Sequence, residues 1–454
     1  MRTIRGGSPQ ALREANKRLL LERLLEAPDG LTRPQLARSL ALTVTAIANL
    51  VAGDGENLAD VLDESPARAQ SLRANSGPVP KVVRLKPRLG YVVGIVLGKT
   101  LVQVAIADLF GRFDAERDAH MAEWDVENDL HGALAHVATT IHELANAHDV
   151  VPEMIAGIGL SIAAPVDVST GPNPTDRRGH IRFNLGSGVH SPWTNIDPVA
   201  AVTNHLAALP DGRRWSAIEL HVDNDANLGA LAEHKLGAGR GKQNIIYIRL
   251  TGAGIGGGLV FEGTTYRGAG GIAGELGHVV LEPDRTERCP RCGRPCLETI
   301  ILTTLGCRRT DSCEGAVLDE VTRGDEAMQA ALDGDHAAIA AIREAADYLG
   351  RAIALFVTLL NPDRVVIGGL LPAQAYSLVI PPIQDAVARL AIAPAARDFV
   401  VELGALHDDA SLEGAIWLAL DRTRLNHLLG CAARSRSSSP ATHETATSFP
   451  PTDA

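Results

Sequence analysis

The sequence predicts a two-lobed α/β body preceded by a small helical domain. From residue 91 onward, segments with strand-like apolar alternation are followed by segments with helical apolar spacing, and this order occurs twice along the chain. Before residue 89 the spacing is helical and rich in leucine. The length of 454 residues suits two or three domains. We therefore expect domains over residues 1–88 and 89–425, and a disordered tail rich in Ser, Thr and Pro over residues 426–454.

The distribution of apolar residues argues against a membrane protein. The longest apolar stretch, residues 155–166, is too short to cross a bilayer, and the N-terminal MRTIRGGSPQ lacks the apolar core of a signal peptide. We therefore predict a cytoplasmic protein with no membrane partner. Five of the six cysteines lie between Cys289 and Cys313, and in a reducing compartment such clustering favours a metal site over disulfides.

Charge is divided unevenly between the two expected domains. Residues 1–88 carry 14 Lys and Arg against 9 Asp and Glu, a net charge of +5. The rest of the chain carries 29 against 45, a net charge of −16. A basic head on an acidic body suggests that a polyanionic partner would bind the head, although a merely solvated basic surface would give the same count.

The head begins with an expected helix over residues 9–27, which Pro28 and Gly30 end. Thr32 is expected to cap a second helix over residues 34–40, and Thr43 or Thr45 a third over residues 45–52. Residues 53–80 lose the pattern before a short strand over residues 81–85, as in a degraded wing. The apolar stripe of the first helix consists of Leu12, Leu19, Leu20, Leu24 and Leu25.

Residues 36–51 resemble the winged helix-turn-helix of bacterial repressors, although the turn holds Ala41 where such motifs usually carry Gly. The resemblance implies that Asn49 reads adenine in operator DNA. The third helix contains no Arg or Lys, so phosphate contacts must come from Arg13, Lys17, Arg18, Arg33, Arg38 or the wing. The face expected to enter a major groove holds Thr43, Val44, Thr45, Ala48 and Asn49. The alternative is a three-helix cap that touches no DNA.

The body repeats one order of elements in two halves. The first half has expected strands over residues 91–97 and 101–109, a helix over 129–147, a strand over 155–163 and, after a loop to residue 195, a helix over 197–208. The second half has a strand over 217–222, a helix from Ala226, a strand over 244–250 with a glycine run, helices over 335–360 and a strand over 364–367. Two such lobes usually hold a ligand between them.

Four motifs of the body occur in an order that resembles the ROK family of sugar kinases and repressors. They are HVDNDAN at residues 221–227, LTGAGIGGG at 250–258, GELGH at 274–278 and the segment from Cys289 to Glu298. The resemblance spans nearly all of residues 91–420, and the head extends it to the repressor branch. It implies the two-lobed fold of hexokinase and actin, which is ribonuclease H-like.

The resemblance also implies a sugar site. The matching positions are filled by Asn224, Asp225, Glu275, His278 and Glu298, whose carboxylates and amide can give directional hydrogen bonds to a polyol. In the kinases the residue that matches Asp225 is the general base, whereas its simplest structural role would be that of a helix N-cap. Further contacts could come from the turn over residues 161–165 and from the loop that contains Asn173, Asn184, Trp193 and Asn195.

Two glycine segments look like nucleotide motifs. Residues 252–257 satisfy G-x-G-x-x-G and residues 94–100 end like a Walker A loop, but strands follow both segments, so no helix N-terminus is available for a phosphate. The resemblance instead assigns phosphate-loop positions to Gly98, Thr100, Gly252, Gly254, Gly256 and Gly257. Where active family members carry D-x-G-G-T, this chain has Val96 through Thr100 without the carboxylate, so we do not expect ATP or Mg²⁺ as cofactors.

His278, Cys289, Cys292 and Cys296 predict a structural zinc site. The family spacing is C-x-C-x4-C, whereas this chain has C-x2-C-x3-C over the same span, and Cys307 or Cys313 could substitute as ligands. The alternative is a group of ordinary thiols.

Three functions remain open from the sequence. The first is a sugar-responsive DNA-binding transcriptional regulator, a repressor that binds an inverted repeat as a homodimer or homotetramer. The second is an ATP-dependent hexose kinase, and the third is an interaction protein with neither activity.

Overall fold

The computed structural model of the protein describes residues 8–52, 58–66, 80–166, 193, 196–251, 254–306, 326–369 and 373–434. The chain divides into two compact units, residues 1–90 with 424–454 and residues 91–423. We call them the head and the body.

The head is a three-helix arrangement followed by a two-stranded wing. Helices α1 (Pro9–Leu25), α2 (Arg33–Leu40) and α3 (Val44–Ala52) occur where the sequence predicts them. The Thr32 side chain accepts the Gln35 N–H while the Gln35 side chain accepts the Thr32 N–H, so a capping box begins α2. Strands β1 (Leu62–Pro66) and β2 (Lys81–Leu85) pair antiparallel. Only β2 is predicted from the sequence.

Three details of the head differ from the expectation. Leu12 and Leu19 are exposed, whereas Leu21 is buried with Leu20 and Leu24. Lys17 is also buried, and its Nζ lies 2.8 Å from Glu14 Oε1. Lys17 is therefore withdrawn as a phosphate contact. The α1 helix turns its core-facing stripe by about one residue relative to the predicted stripe.

The first lobe of the body is a five-stranded sheet in the order β5-β4-β3-β6-β7. The strands β3, β6 and β7 are parallel to one another, and β4 and β5 are added antiparallel. Helices α4 (Leu130–Ala147), α5 (Pro198–Ala207) and α6 (Gly212–Trp215) complete the lobe. The strands are Tyr91–Leu97 (β3), Leu101–Asp108 (β4), Ala119–Glu123 (β5), Ile155–Ile162 (β6) and Leu220–Asn224 (β7).

The second lobe repeats this plan with a five-stranded sheet in the order β10-β9-β8-β11-β12. Its strands are Ile245–Thr251 (β8), Gly254–Phe261 (β9), Thr264–Tyr266 (β10), Arg364–Gly369 (β11) and Val401–Leu403 (β12). Its helices are Asp225–Lys235 (α7), Leu297–Thr304 (α8), His336–Leu360 (α9), Tyr376–Leu390 (α10) and Ala393–Arg397 (α11). Each lobe thus has three parallel strands, and two further strands are added antiparallel at one side. This is the arrangement of the hexokinase-like α/β fold.

The last helix, α12 (Ala410–Arg434), packs closely on strand β6 and on helix α7 through glycines. A Cβ at Gly159 of β6 would lie 1.9 Å from Ala415 O, and a Cβ on Gly414 would lie 2.1 Å from Leu228 O of α7. The absence of side chains therefore permits the close approach of the backbones.

The helix also extends into the segment that the sequence predicts to be a disordered tail. Residues 426–434 are helical rather than disordered, and the boundary between body and head falls within α12. His427 contributes a hydrogen bond to Leu89 O at 3.0 Å, which a disordered tail would not make. Residues 435–454 lie outside the described part of the chain.

Candidate functional site

The turn between β7 and α7 carries Asn224 and Asp225. Asn224 is the N-cap of α7, and its Oδ1 accepts the N–H groups of Ala226 and Asn227 at 3.0 and 3.3 Å. Asp225 is therefore the first residue of the helix and not its cap. The Asn224 Nδ2 donates to Ala164 O at 3.2 Å, which joins this turn to the one over residues 161–165.

A buried ion pair holds the end of β7. Asp223 is 1% exposed, and its Oδ2 accepts the Arg267 Nε–H at 2.7 Å. Its Oδ1 accepts the Asn227 Nδ2–H at 3.0 Å. Both oxygens of this buried carboxylate thus accept hydrogen bonds. These bonds fix the direction in which the next two residues leave the strand.

Asp225 is paired with an arginine that the sequence analysis missed. Arg249 stands on β8, and its Nη1 donates to Asp225 Oδ2 at 3.0 Å. Both side chains are partly exposed, at 26% for Arg249 and 17% for Asp225. A signal existed, because Arg249 is the single charged residue of the otherwise largely apolar strand IIYIRLT just before the glycine run.

Glu298, in the first turn of α8, reaches the start of β9. Its Oε2 accepts the Ile255 N–H at 3.1 Å and lies 3.6 Å from Arg291 Nη1. A Cβ at Gly254 would lie only 2.5 Å from the same oxygen. Glycine at 254 is therefore required for the carboxylate to reach the strand.

Glu275 and His278 lie on either side of a short 3₁₀ turn, with 4.0 Å between Glu275 Oε2 and His278 Nε2. Burial raises the pKa of Glu275; His278 opposes this shift, and Asp225 and Glu298 add to it. Burial lowers the pKa of His278, but the neighbouring Cys289, Glu298 and Glu275 outweigh it and the net shift is upward. The three carboxylates and the imidazole are thus close enough to act on one another. Asn224 directly precedes Asp225, so all five predicted sugar ligands belong to this part of the fold.

A cluster of His278, Cys289, Cys292 and Cys296 adjoins the carboxylates. The four candidate ligand atoms lie within 4.8 Å of one another. A Zn²⁺ ion with bonds of about 2.1–2.3 Å needs its ligands slightly closer than this, so a small contraction would suffice. Hydrogen bonding by Cys296 lowers the pKa of the Cys289 thiol to about 3, which favours a thiolate there. The donor set fits a metal such as zinc.

The two nitrogens of His278 face different partners. Nδ1 lies 4.0 Å from Cys289 Sγ, and Nε2 lies 4.0 Å from Glu275 Oε2. If a metal takes Nδ1, the Nε2–H is left for the carboxylate or for a ligand. His278 can therefore serve both predicted roles, as metal ligand and as sugar ligand, without conflict.

The expected phosphate-loop residues have structural partners. The Gly98 N–H donates to Leu101 O at 3.0 Å and closes the β3–β4 turn, next to Thr100. Val96 is buried in one cluster with Ile416 of α12. A Cβ on Gly256 would lie 3.0 Å from Ala226 Cβ, and one on Gly257 would lie 2.2 Å from Gly274 O. These glycines allow close packing around the site, which is the role that the structure supports for them.

The exposed face of the head contains the predicted DNA-reading residues. Thr43, Val44, Thr45 and Asn49 are exposed, and Ala48 is half-buried. Thr43 caps α3, because its Oγ1 accepts the Ala46 N–H at 3.1 Å. The turn residue Ala41 has φ +53°, the left-handed conformation that glycine adopts more easily.

Two of the arginines assigned to DNA phosphates, Arg33 and Arg38, already have local partners. Arg33 Nη2 lies 2.7 Å from Glu64 Oε2 on the wing strand, and Arg38 Nε donates to Pro34 O at 3.3 Å. The Arg38 bond lies at the surface, whereas the Arg33–Glu64 pair is partly buried, so exchange for a phosphate costs less at Arg38.

Several other candidates are not placed at the site. Trp193 is 2% exposed within the core of the first lobe. The remaining candidates lie outside the described residues: Asn173, Asn184, Asn195, Gly252, Cys307 and Cys313.

Among the described residues, no single helix is both long and apolar enough to cross a membrane. Only the bent pair of α2 and α3, with 112° between its helices, passes that test when joined, on length and composition alone.

Residues 92–422 match the sequence profile of the ROK family. The chain belongs to the ROK family. It is 28% identical to the glucokinase of Halalkalibacterium halodurans over 72% of this chain and 94% of that protein. It is 24% identical to the xylose repressor of Caldicellulosiruptor bescii over 80% of this chain and 84% of the repressor.

Solved structures confirm the hexokinase-like fold. A ROK family transcriptional regulator, a homologue of the E. coli MLC protein, aligns with a TM-score of 0.65 and 20% identity over 93% of this chain and 99% of that chain. A ROK glucokinase from Streptomyces griseus in complex with glucose and AMPPNP aligns with a TM-score of 0.55 and 24% identity. The glucokinase covers 73% of this chain. Both a glucokinase and a xylose repressor are thus among the proteins that this chain is similar to.

Proposed function

We propose that the protein is a cytoplasmic, sugar-responsive transcriptional repressor whose body binds a sugar and whose head binds operator DNA. The observation that carries the proposal is the helix-turn-helix and wing in the same chain as a site with all five polyol-binding side chains. The face of α3 with Thr45 and Asn49 is exposed, as entry into a major groove requires. The regulator of known structure aligns with 93% of this chain, which is a larger share than the body alone makes up.

The site suits recognition of a polyol. Asn224, Asp225 and Glu298 offer amide and carboxylate groups in directions that their own hydrogen bonds define. Such directional partners discriminate one pattern of hydroxyls from another. In this proposal a zinc ion on the cysteine cluster is structural and holds His278 and Glu298 in position.

Regulation requires two arrangements of the protein that bind the sugar with different affinity. A ligand shifts the equilibrium only by that difference, and the same difference appears as a change in DNA affinity. We expect a homodimer or homotetramer on an inverted repeat, because a single head offers few base-reading side chains.

The second candidate is a sugar kinase, which the retained Asp225 and the 28% identity to a glucokinase favour. Against it stand the buried Val96 in place of a carboxylate and the pairing of Asp225 with Arg249. A carboxylate oxygen that already accepts a hydrogen bond from a guanidinium has fewer lone pairs left for a sugar hydroxyl.

An assay of ADP formation with a panel of sugars separates the two functions. The repressor proposal expects no turnover, whereas turnover of about 1 s⁻¹ or more would establish a kinase. The double variant Val96→Asp with Lys99→Gly restores the D-x-G-G-T pattern and tests whether the altered loop is the missing element. The Glu275→Ala variant should bind operator DNA but no longer respond to sugar.

A further inference from the structure

Arg249 gives the proposed sugar site a positive charge that a neutral polyol does not need. It is held at the carboxyl end of β8 by a single hydrogen bond to Asp225 at 3.0 Å. Within the part of the chain that the structure describes, its remaining N–H donors make no hydrogen bond. At 26% side-chain exposure they are accessible to a ligand. A guanidinium with open donors is a preferred partner of phosphate and carboxylate groups.

The carboxylates around Arg249 repel an anion less than free carboxylates would, because each has a cationic or imidazole neighbour. Asp225 is paired with Arg249 itself, and Glu298 lies 3.6 Å from Arg291 Nη1 and accepts the Ile255 N–H. Glu275 is more than two-thirds covered, with His278 Nε2 at 4.0 Å. A carboxylate that is engaged by an arginine has fewer lone pairs for the hydroxyl groups of a sugar. A site for a neutral sugar would therefore bind it more tightly if these carboxylates had no arginine partner.

We propose that the effector is an anionic sugar, a sugar phosphate or sugar acid, whose anionic group binds Arg249. The inference rests on the proposed sugar-sensing function and names the class of ligand for the same site. The ligand's anion binds the guanidinium donors that Asp225 leaves open, so Asp225 keeps its hydrogen bond to Arg249. A neutral sugar offers these open donors no negative charge and so forms only weaker, uncharged hydrogen bonds with them.

Calorimetric titration of the full-length protein with matched ligand pairs tests this. The pairs are glucose, mannose, galactose and N-acetylglucosamine, each against its 6-phosphate, and glucose and galactose against glucuronate and galacturonate. We expect at least one anionic form to bind about tenfold or more tightly than its neutral parent. The phosphate and carboxylate arms identify which anion is recognised, and inorganic phosphate alone should bind far more weakly than the sugar phosphate.

Substitutions assign the preference to Arg249. Arg249→Gln should reduce the preference for the anionic form to less than about threefold, Arg249→Lys should retain part of it, and the exposed Arg213→Gln serves as the matched control with wild-type preference. Thermal melting of each variant shows that it is folded, and the wild-type comparison of ligand pairs stands without any variant.

The outcomes separate this inference from the proposed function. Binding of neutral sugars as tightly as their anionic forms, or a preference that survives Arg249→Gln, overturns the inference and leaves sugar sensing intact. Equal binding of inorganic phosphate and sugar phosphate also overturns it. If no sugar binds in either form, the proposed function fails and the inference fails with it.

Discussion

The glycine at position 254 has φ +149°, and a Cβ there would lie 2.5 Å from Glu298 Oε2. We predict that Gly254→Ala destabilises the protein by about 2–4 kcal/mol and weakens sugar binding, because the strained backbone and the displaced carboxylate both disturb the site. Gly241→Ala is the matched control: its φ is +77°, and nothing lies within 4 Å of an added Cβ. The control should cost only about 1–2 kcal/mol and spare binding. Equal losses in both variants would contradict the role assigned to Gly254.

We predict that the free energy of unfolding depends on pH through Glu413 of α12. Burial, with Asp409 nearby, raises the pKa of Glu413 from 4.5 to about 7. A carboxyl group with a raised pKa in the folded state contributes its full stability below pH 4.5, and that contribution is lost as the pH rises through about 7. Glu413→Gln should therefore raise the free energy of unfolding at pH 8.5 by about 1–2 kcal/mol, after allowance for partial solvent exposure.

Melting curves at pH 4.5 and pH 8.5 check this prediction. The difference between Glu413→Gln and the wild type should be small at the lower pH and should level off above about pH 7. The exposed Glu344→Gln is the control and should show no such difference. The same stabilisation of Glu413→Gln at both values would mean that loss of charge is not the cause.

At the scale of elements, the segment from the 3₁₀ turn Leu276–His278 to α8 is organised around the cysteine cluster. We predict about one zinc per chain in protein purified without chelators, measured by elemental analysis. Cys292→Ser should lower the zinc content to near zero and weaken the response to sugar before the body unfolds, because Glu298 and His278 lose a common anchor. Cys431→Ser, in the part of α12 that belongs to the head, is the control. Full zinc content in Cys292→Ser would remove that thiol from the ligand set.

The elements that the sequence predicts correctly are those whose signals are local. The helices α1 to α3 show their caps and apolar spacing within a few residues. The five sugar-site positions also come from short motifs, and their role stays a prediction. The strand β1 was missed because LDESP has no apolar alternation and is stabilised by pairing with β2. The expected tail begins too early because the last turns of α12 are held by contacts with residues more than 300 positions away, such as the His427 bond to Leu89.

The Asp225–Arg249 pair was equally beyond the reach of local patterns. Its members lie 24 residues apart, on α7 and β8, and only the folded second lobe brings them together. The buried pair of Asp223 and Arg267 spans 44 residues and is of the same kind. Charged residues inside apolar strands are thus the positions at which sequence reasoning should expect a distant partner.

At the scale of the whole molecule, we propose that one chain combines a DNA-binding head with a sugar-binding body. Head and body are separate compact units, each with its own buried residues. Linkage then requires that a sugar that lowers DNA affinity be itself bound more weakly in the presence of DNA, by the same factor.

The measurement that tests the central claim most directly is DNA binding by the full-length protein, with and without sugar, on a sequence selected from a random library. We predict a selected inverted repeat, an affinity that falls with salt, and release by a binding sugar. Asn49→Ala should weaken binding about 5- to 150-fold, whereas Gln10→Ala, an exposed amide of α1, should not. Selection of no common sequence, or binding that neither Asn49→Ala nor any bound sugar alters, would contradict the account.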